Sequence, residues 1–135
     1  MDANNEYLLL FRGKEWWNGL SAEELRTTME QIKGWFDQLE ASGKLKAAQP
    51  LAREGAVVSG RNGTIVADGP FAESKEVIGG YLLLQVDSLN EAIAIACSCP
   101  TLKFDMQAEV RPIAGECPSM AYARQIISEQ QFATA

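Results

Sequence analysis

Thr64-Ile65-Val66-Ala67-Asp68-Gly69-Pro70-Phe71, running on through Ala72-Glu73-Ser74-Lys75-Glu76 to Gly79-Gly80-Tyr81-Leu82-Leu83-Leu84-Gln85-Val86, sets an apolar run, a tight turn and a second apolar run in succession. Asp68 puts a carboxylate at the end of the first run. Gly69 tolerates the backbone angles required before proline, Pro70 fixes the next φ, and Phe71 can fold back onto apolar surface. Residues 81–86 are apolar at successive positions, the pattern of a strand buried on both faces.

Upstream, residues 56–59 and 64–67 flank Gly60-Arg61-Asn62-Gly63, and Asn-Gly between β-rich runs signals a hairpin. Before a less regular passage, Leu25, Met29, Ile32, Phe36 and Leu39 repeat at helical spacing, which predicts a long amphipathic helix over about 21–42. Ser21-Ala22-Glu23-Glu24 supplies its capping box, and Gly43 is a natural stop. Tyr7-Leu8-Leu9-Leu10-Phe11 reads as another strand buried on both faces, with 12–19 as the loop behind it. Downstream, Ser88-Leu89-Asn90-Glu91 opens a second, alanine-rich helix that Pro100 ends. Residues 107–111 form a last strand, and 114–135 a tail with a weaker helical stripe.

The order is strand, helix, hairpin, strand, helix, strand, tail. It predicts an α+β sandwich, a ferredoxin-like protomer with both helices on one face of an antiparallel sheet. Because 7–11 and 81–86 point apolar groups both ways, the uncovered face calls for a second layer. A second copy packing sheet to sheet, as a symmetric homodimer, is the simplest source; the terminal helix folding across the face is the alternative.

A chain of 135 residues with 47% hydrophobic and 22% charged residues is expected to be one soluble globular domain. Its net charge of −6 and scattered basic residues argue against nucleic acid. No apolar run is long enough to span a membrane, and the first residues lack the pattern of a signal peptide, so a cytoplasmic location is expected. Cys97, Cys99 and Cys117 suit a metal or redox site less well than reduced, partly buried thiols, since the chain has no histidine. Gly79-Gly80 lacks the helix N-terminus of a phosphate loop, and Asp/Glu spacing shows no metal motif; no cofactor is implied.

Residues 68–76, with Gly79-Gly80-Tyr81, Val86-Asp87-Ser88-Leu89-Asn90-Glu91-Ala92, Cys99-Pro100 and Glu109-Val110-Arg111-Pro112, resemble the DGPF branch of the YCII-related proteins. The resemblance spans about residues 6–113, so that 1–113 is the family domain and 114–135 lies outside it. It implies a dimeric α/β barrel built from ferredoxin-like protomers. In the wider family a histidine and an aspartate are proposed as an acid–base pair in a small cleft. Asp68 matches that aspartate. Where many relatives carry a histidine on the long helix, this chain has Lys33.

Without histidine, acid–base chemistry falls to carboxylates, lysine, tyrosine or cysteine. Asp68 reads as a general base or ligand anchor, or as an Asx-turn residue holding the Gly-Pro turn. Lys33 is either a cation facing Asp68 or a lysine with its stem laid along the core. Glu73 and Lys75 suggest a lid or solvated charges. Trp16 and Trp17 offer walls for an aromatic pocket, with Phe71, Tyr81 and Arg12 as further ligand contacts. Two function classes follow: a homodimer whose cleft beside the DGPF loop binds a small, partly apolar metabolite, and a small lyase- or isomerase-like enzyme with Asp68 as base and Lys33 or Arg12 as charge stabiliser.

Overall fold

Leu9, Leu82 and Leu84 stand on one face of an antiparallel sheet, at 0%, 4% and 0% exposure, and the architecture follows from what covers them. The computed structural model describes residues 5–68 and 77–133, with the backbone alone for Asp68 and residues 131–133. The elements are β1 (Glu6–Arg12), α1 (Ala22–Ala41), β2 (Leu45–Pro50), β3 (Ala56–Ser59), β4 (Ile65–Asp68), β5 (Ile78–Gln85), α2 (Leu89–Cys97), β6 (Gln107–Pro112) and α3 (Pro118–Ala133). The main sheet has the order β2-β5-β1-β6, every neighbouring pair antiparallel. Thus β1-α1-β2 and β5-α2-β6 interleave, each unit leaving room for one strand of the other, as in a split β-α-β arrangement.

Both helices pack on the Leu9–Leu82–Leu84 face. Trp35 and Leu39 of α1, and Ala92 and Ala96 of α2, join those leucines in one core with Tyr7, Val86 and Cys99. The alanines let the α2 backbone approach the sheet closely. Each fully buried leucine contributes roughly 1.5–3 kcal/mol relative to exposure. Ser21 caps α1 reciprocally with Glu24, whose carboxyl is held below the usual range by the Ser21 amide and then its hydroxyl. At α2 the Ser88 hydroxyl accepts from the Glu91 amide, but the Glu91 carboxylate accepts from the amide of Asp87, one residue before the cap. Each such cap is worth about 1 kcal/mol.

The structure corrects two expectations, on the passage after α1 and on the buried stripe of α1. The irregular passage after α1 contains β2, an edge strand; Leu45-Lys46-Ala47-Ala48-Gln49-Pro50 has little β propensity, and Pro50 is tolerated because it ends an edge. The expected hairpin is present as β3–β4, a two-stranded sheet apart from the main one, turned by residues 60–64 with Asn62 at φ 64°. The buried stripe of α1 runs through Thr28, Trp35 and Leu39, while Met29 is 50% exposed. Trp35 reaches the core with its indole N–H satisfied by Ser98 Oγ at 2.7 Å, so the aromatic body is buried and its polar edge paired. As the apolar runs lead one to expect, the second face of β1 and β5 is not covered within the chain: Leu8, Leu10 and Leu83 are half-buried, while Leu9, Leu82 and Leu84 beside them are buried.

That second face is apolar in the middle and charged around it. By strand alternation it carries Leu8 and Leu10 of β1 and Leu83 of β5, with Glu109 and Arg111 of β6 across from Leu10 and Leu8. Arg12 pairs with Glu109, Arg111 lies 3.2 Å from the same carboxylate, and Lys46 pairs with Glu6. No residue of α3 or of the hairpin joins the core or packs on it among the described residues. Met120, Tyr122 and Ile127 of α3 are exposed, and so are Val57, Val58, Ile65 and Val66 of the hairpin.

Candidate ligand-binding site

The strand β1 ends at Gly13, whose φ of 149° a side chain would strain and whose missing Cβ leaves room for Met106. The turn that follows throws Trp16 and Trp17 over the end of the sandwich. Trp16 stacks on Phe104 with ring centres 5.2 Å apart and planes at 10°, and meets Trp17 edge to face at 5.7 Å. Beneath them, Trp35 makes edge-to-face contacts with Phe11 and Phe36. Two indoles are thereby fixed by aromatic neighbours, while Trp17 keeps 41% of its surface exposed.

Between these rings, the end of β2 and the start of β5 lies a cavity of about 590 Å³. Phe11, Trp35, Leu82 and Cys99 contribute from the core side, Trp16 and Trp17 from the first loop, and Thr101 and Met106 from the turn after α2. Gln49 and Pro50 line it from the end of β2, Leu51, Ala52 and Arg53 from the segment that follows, and Gly79, Gly80 and Tyr81 from β5. Gly80 is required there: a Cβ would sit 3.0 Å from the Gln49 carbonyl oxygen and 3.4 Å from Pro50 Cα. Cavity size and lining are those of a site for a compact, partly apolar molecule.

The few polar groups are specific. Cys99 Sγ and Thr101 Oγ1 are 3.3 Å apart, and Cys99 is buried. Arg53 Nη2 donates to the Gly13 carbonyl at 2.9 Å, while its Nη1 is closed off from solvent and has no acceptor among the described residues. Nothing in the sequence around Arg53, which sits beside Glu54, marks it as a pocket residue, because the pocket gathers residues from five separate segments.

Trp16, Trp17 and Tyr81 are brought together in this lining, as members of one cavity wall. Arg12 and Lys33 are not among its lining residues. Arg12 borders a second hollow of about 630 Å³ between α2 and β6, with Cys97, Met106 and Glu109 on its rim. There its guanidinium, and then that of Arg111, hold the Glu109 carboxyl below the usual carboxylate range. Lys33 projects from α1 with its side chain 77% exposed and its ammonium 2.8 Å from Asp37, a pairing that raises its pKa. Asp68 ends β4 opposite Ala56, and its side chain lies outside the described residues, as do Phe71, Glu73 and Lys75. Cys117 is exposed before α3, its thiol pKa lowered by the Ser119 hydroxyl and then by the amides of Met120 and Ser119. Among the described residues, no cluster of three metal-ligating side chains occurs, and no helix is long and apolar enough to cross a membrane.

The model of the YCII-related domain matches residues 6–114. An uncharacterized protein of Rhizobium meliloti (strain 1021) is 35% identical over 107 residues, covering 73% of this chain and 86% of its own length. Among solved structures, the 5-chloro-2-hydroxyhydroquinone dehydrochlorinase of Burkholderia phenoliruptrix AC1100, in complex with 2,5-dihydroxybenzoquinone, shares 15% identity at a TM-score of 0.41, covering 82% of this chain and 95% of that one. A similarity of that degree leaves site and chemistry to be judged from this chain's own residues.

Proposed function

The chain belongs to the YCII-related domain family, and from that premise we propose that it is a DGPF-branch member acting as a homodimer that binds a small, partly apolar metabolite in the aromatic cavity. The observation that carries the reading is the cavity itself: about 590 Å³, walled by indoles held in place by stacking, with few polar groups. The segment holding Asp68-Gly69-Pro70-Phe71 leads directly into Gly79-Gly80-Tyr81, which line that cavity. This continuity supports a ligand site next to the motif, with Asp68 and Phe71 as candidate contacts.

Binding is favoured over the lyase- or isomerase-like alternative by where the proposed charge stabilisers stand. Lys33 is engaged by Asp37 in solvent and Arg12 by Glu109 at the sheet face, and neither lines the aromatic cavity. An oxyanion there would meet Arg53 and neither of the two cations proposed for it, so the catalytic arrangement of Asp68 with Lys33 or Arg12 is not the one the cavity supports.

The dimer rests on the open sheet face. An apolar centre of Leu8, Leu10 and Leu83 ringed by charges of both signs has the anatomy of a protein interface, and a two-fold axis through it would make the ring self-complementary. The exposed apolar residues of α3, and its absence from the core, favour a second copy over the tail as the cover.

All three tryptophans of the chain line the cavity, so their emission reports on its contents. A screen of small aromatic and alicyclic metabolites should give saturable emission changes in the wild type. The exposed rim substitution Ala52→Trp, which crowds the cavity, should weaken every hit. Hits of unchanged affinity in Ala52→Trp would place binding elsewhere.

A further inference from the structure

From the state of Arg53 we infer that the cavity recognises an organic anion, a flat apolar body carrying one carboxylate or equivalent acid, with the Arg53 guanidinium as its partner. The inference rests on the proposed binding function and names the class of ligand. Arg53 is half-buried and is the one charged residue lining the cavity among the described residues; the other lining groups are mostly aromatic and aliphatic, with Gln49, Cys99 and Thr101 as neutral polar ones. One nitrogen, Nη2, is spent on the Gly13 carbonyl, which anchors the guanidinium at the end of β1. The other, Nη1, is shut off from solvent and has no acceptor among the described residues.

A buried N–H left unpaired is costly, more so on a charged group, so residues seldom hold this state without a compensating partner. Among the described residues, the carboxylates nearest Gly13 and Arg53 in sequence do not supply one. Glu15 accepts from Asn18, Glu54 is exposed, and Arg53 has no ion pair among the described residues. An arginine has a fixed, planar array of donors suited to a carboxylate, and the anchored Nη2 leaves its remaining edge for a ligand. The aromatic walls would take the apolar body and the guanidinium the acid. A neutral ligand of the same shape would leave the cation unmatched.

The test uses the full chain at neutral pH with two probes of nearly equal shape, 4-ethylbenzoate and its neutral amide, 4-ethylbenzamide, followed by tryptophan emission. Wild type should bind the benzoate about tenfold or more tightly than the amide, the range of a charge-assisted hydrogen bond. Arg53→Gln should bring the two within about twofold by weakening the benzoate alone, and Arg53→Lys should keep part of the preference. Equal affinity for both probes in wild type would overturn the anion inference and leave the cavity's role intact. A preference undiminished in Arg53→Gln would overturn it too. Binding of neither probe would overturn both readings. Should Arg53→Gln fail to fold by circular dichroism, the wild-type ratio and Arg53→Lys still decide.

Discussion

The two faces of the main sheet are built from the same kind of residue and have opposite fates. Leu9, Leu82 and Leu84 meet α1 and α2 and are withdrawn from water; Leu8, Leu10 and Leu83, one position along the same strands, remain half-buried. Alternation along a strand fixes which residues share a face, but coverage depends on what the rest of the chain brings to it. The helix-covered face is finished within the chain and gives it stability. The open face carries a similar apolar load with charges around it, and its unmet burial would drive the proposed association.

The largest effect should come from the covered face. Leu84→Ala removes a fully buried side chain and should cost about 2–5 kcal/mol in urea denaturation. Leu10→Ala, on the open face, should leave a smaller loss whose size depends on protein concentration, since the proposed dimer would complete its burial. Equal, concentration-independent losses at the two sites would break the comparison.

Next in size, Ser98→Ala leaves the Trp35 indole N–H without its acceptor inside the covered face. A loss of about 1–3 kcal/mol follows from a buried donor left unpaired. A negligible loss would mean that Trp35 is positioned by packing alone.

The smallest effect sharpens the account of the open face. Glu109 has its folded pKa depressed by Arg12 and Arg111, so its ion pairs stabilise fully above the unfolded carboxylate value of roughly 4.3. That contribution fades as pH falls through the folded pKa. Glu109→Gln should therefore lower stability near neutral pH and flatten the decline in urea midpoint on acidification. Parallel pH profiles for wild type and variant would deny Glu109 this role.

Much of the covered face was legible from sequence, because its signals are local. Capping serines at 21 and 88 and the apolar runs at 7–11 and 81–86 each announce themselves within a few residues, and the observed elements follow them. The register of α1 was less so: the pattern Met29–Phe36 and the buried line Thr28–Trp35 differ by one residue, about 100° around the helix. A threonine hydroxyl and an indole N–H disguise core residues as polar ones. The edge strand β2 escaped because its place is decided by pairing with β5, not by its own composition. The candidate site divides the same way. Trp16 and Trp17 stood out as adjacent indoles with nowhere else to go, whereas Arg53 gains meaning only where β2's exit meets the end of β1.

The most direct measurement is sedimentation equilibrium of the wild type and Leu83→Glu at micromolar concentration. The account predicts a wild-type particle of twice the 14.8 kDa chain mass and a folded Leu83→Glu protein at the chain mass, because a charge placed in an apolar seam cannot be buried unpaired. A wild-type particle of a single chain, stably folded with its open face in water, would contradict it.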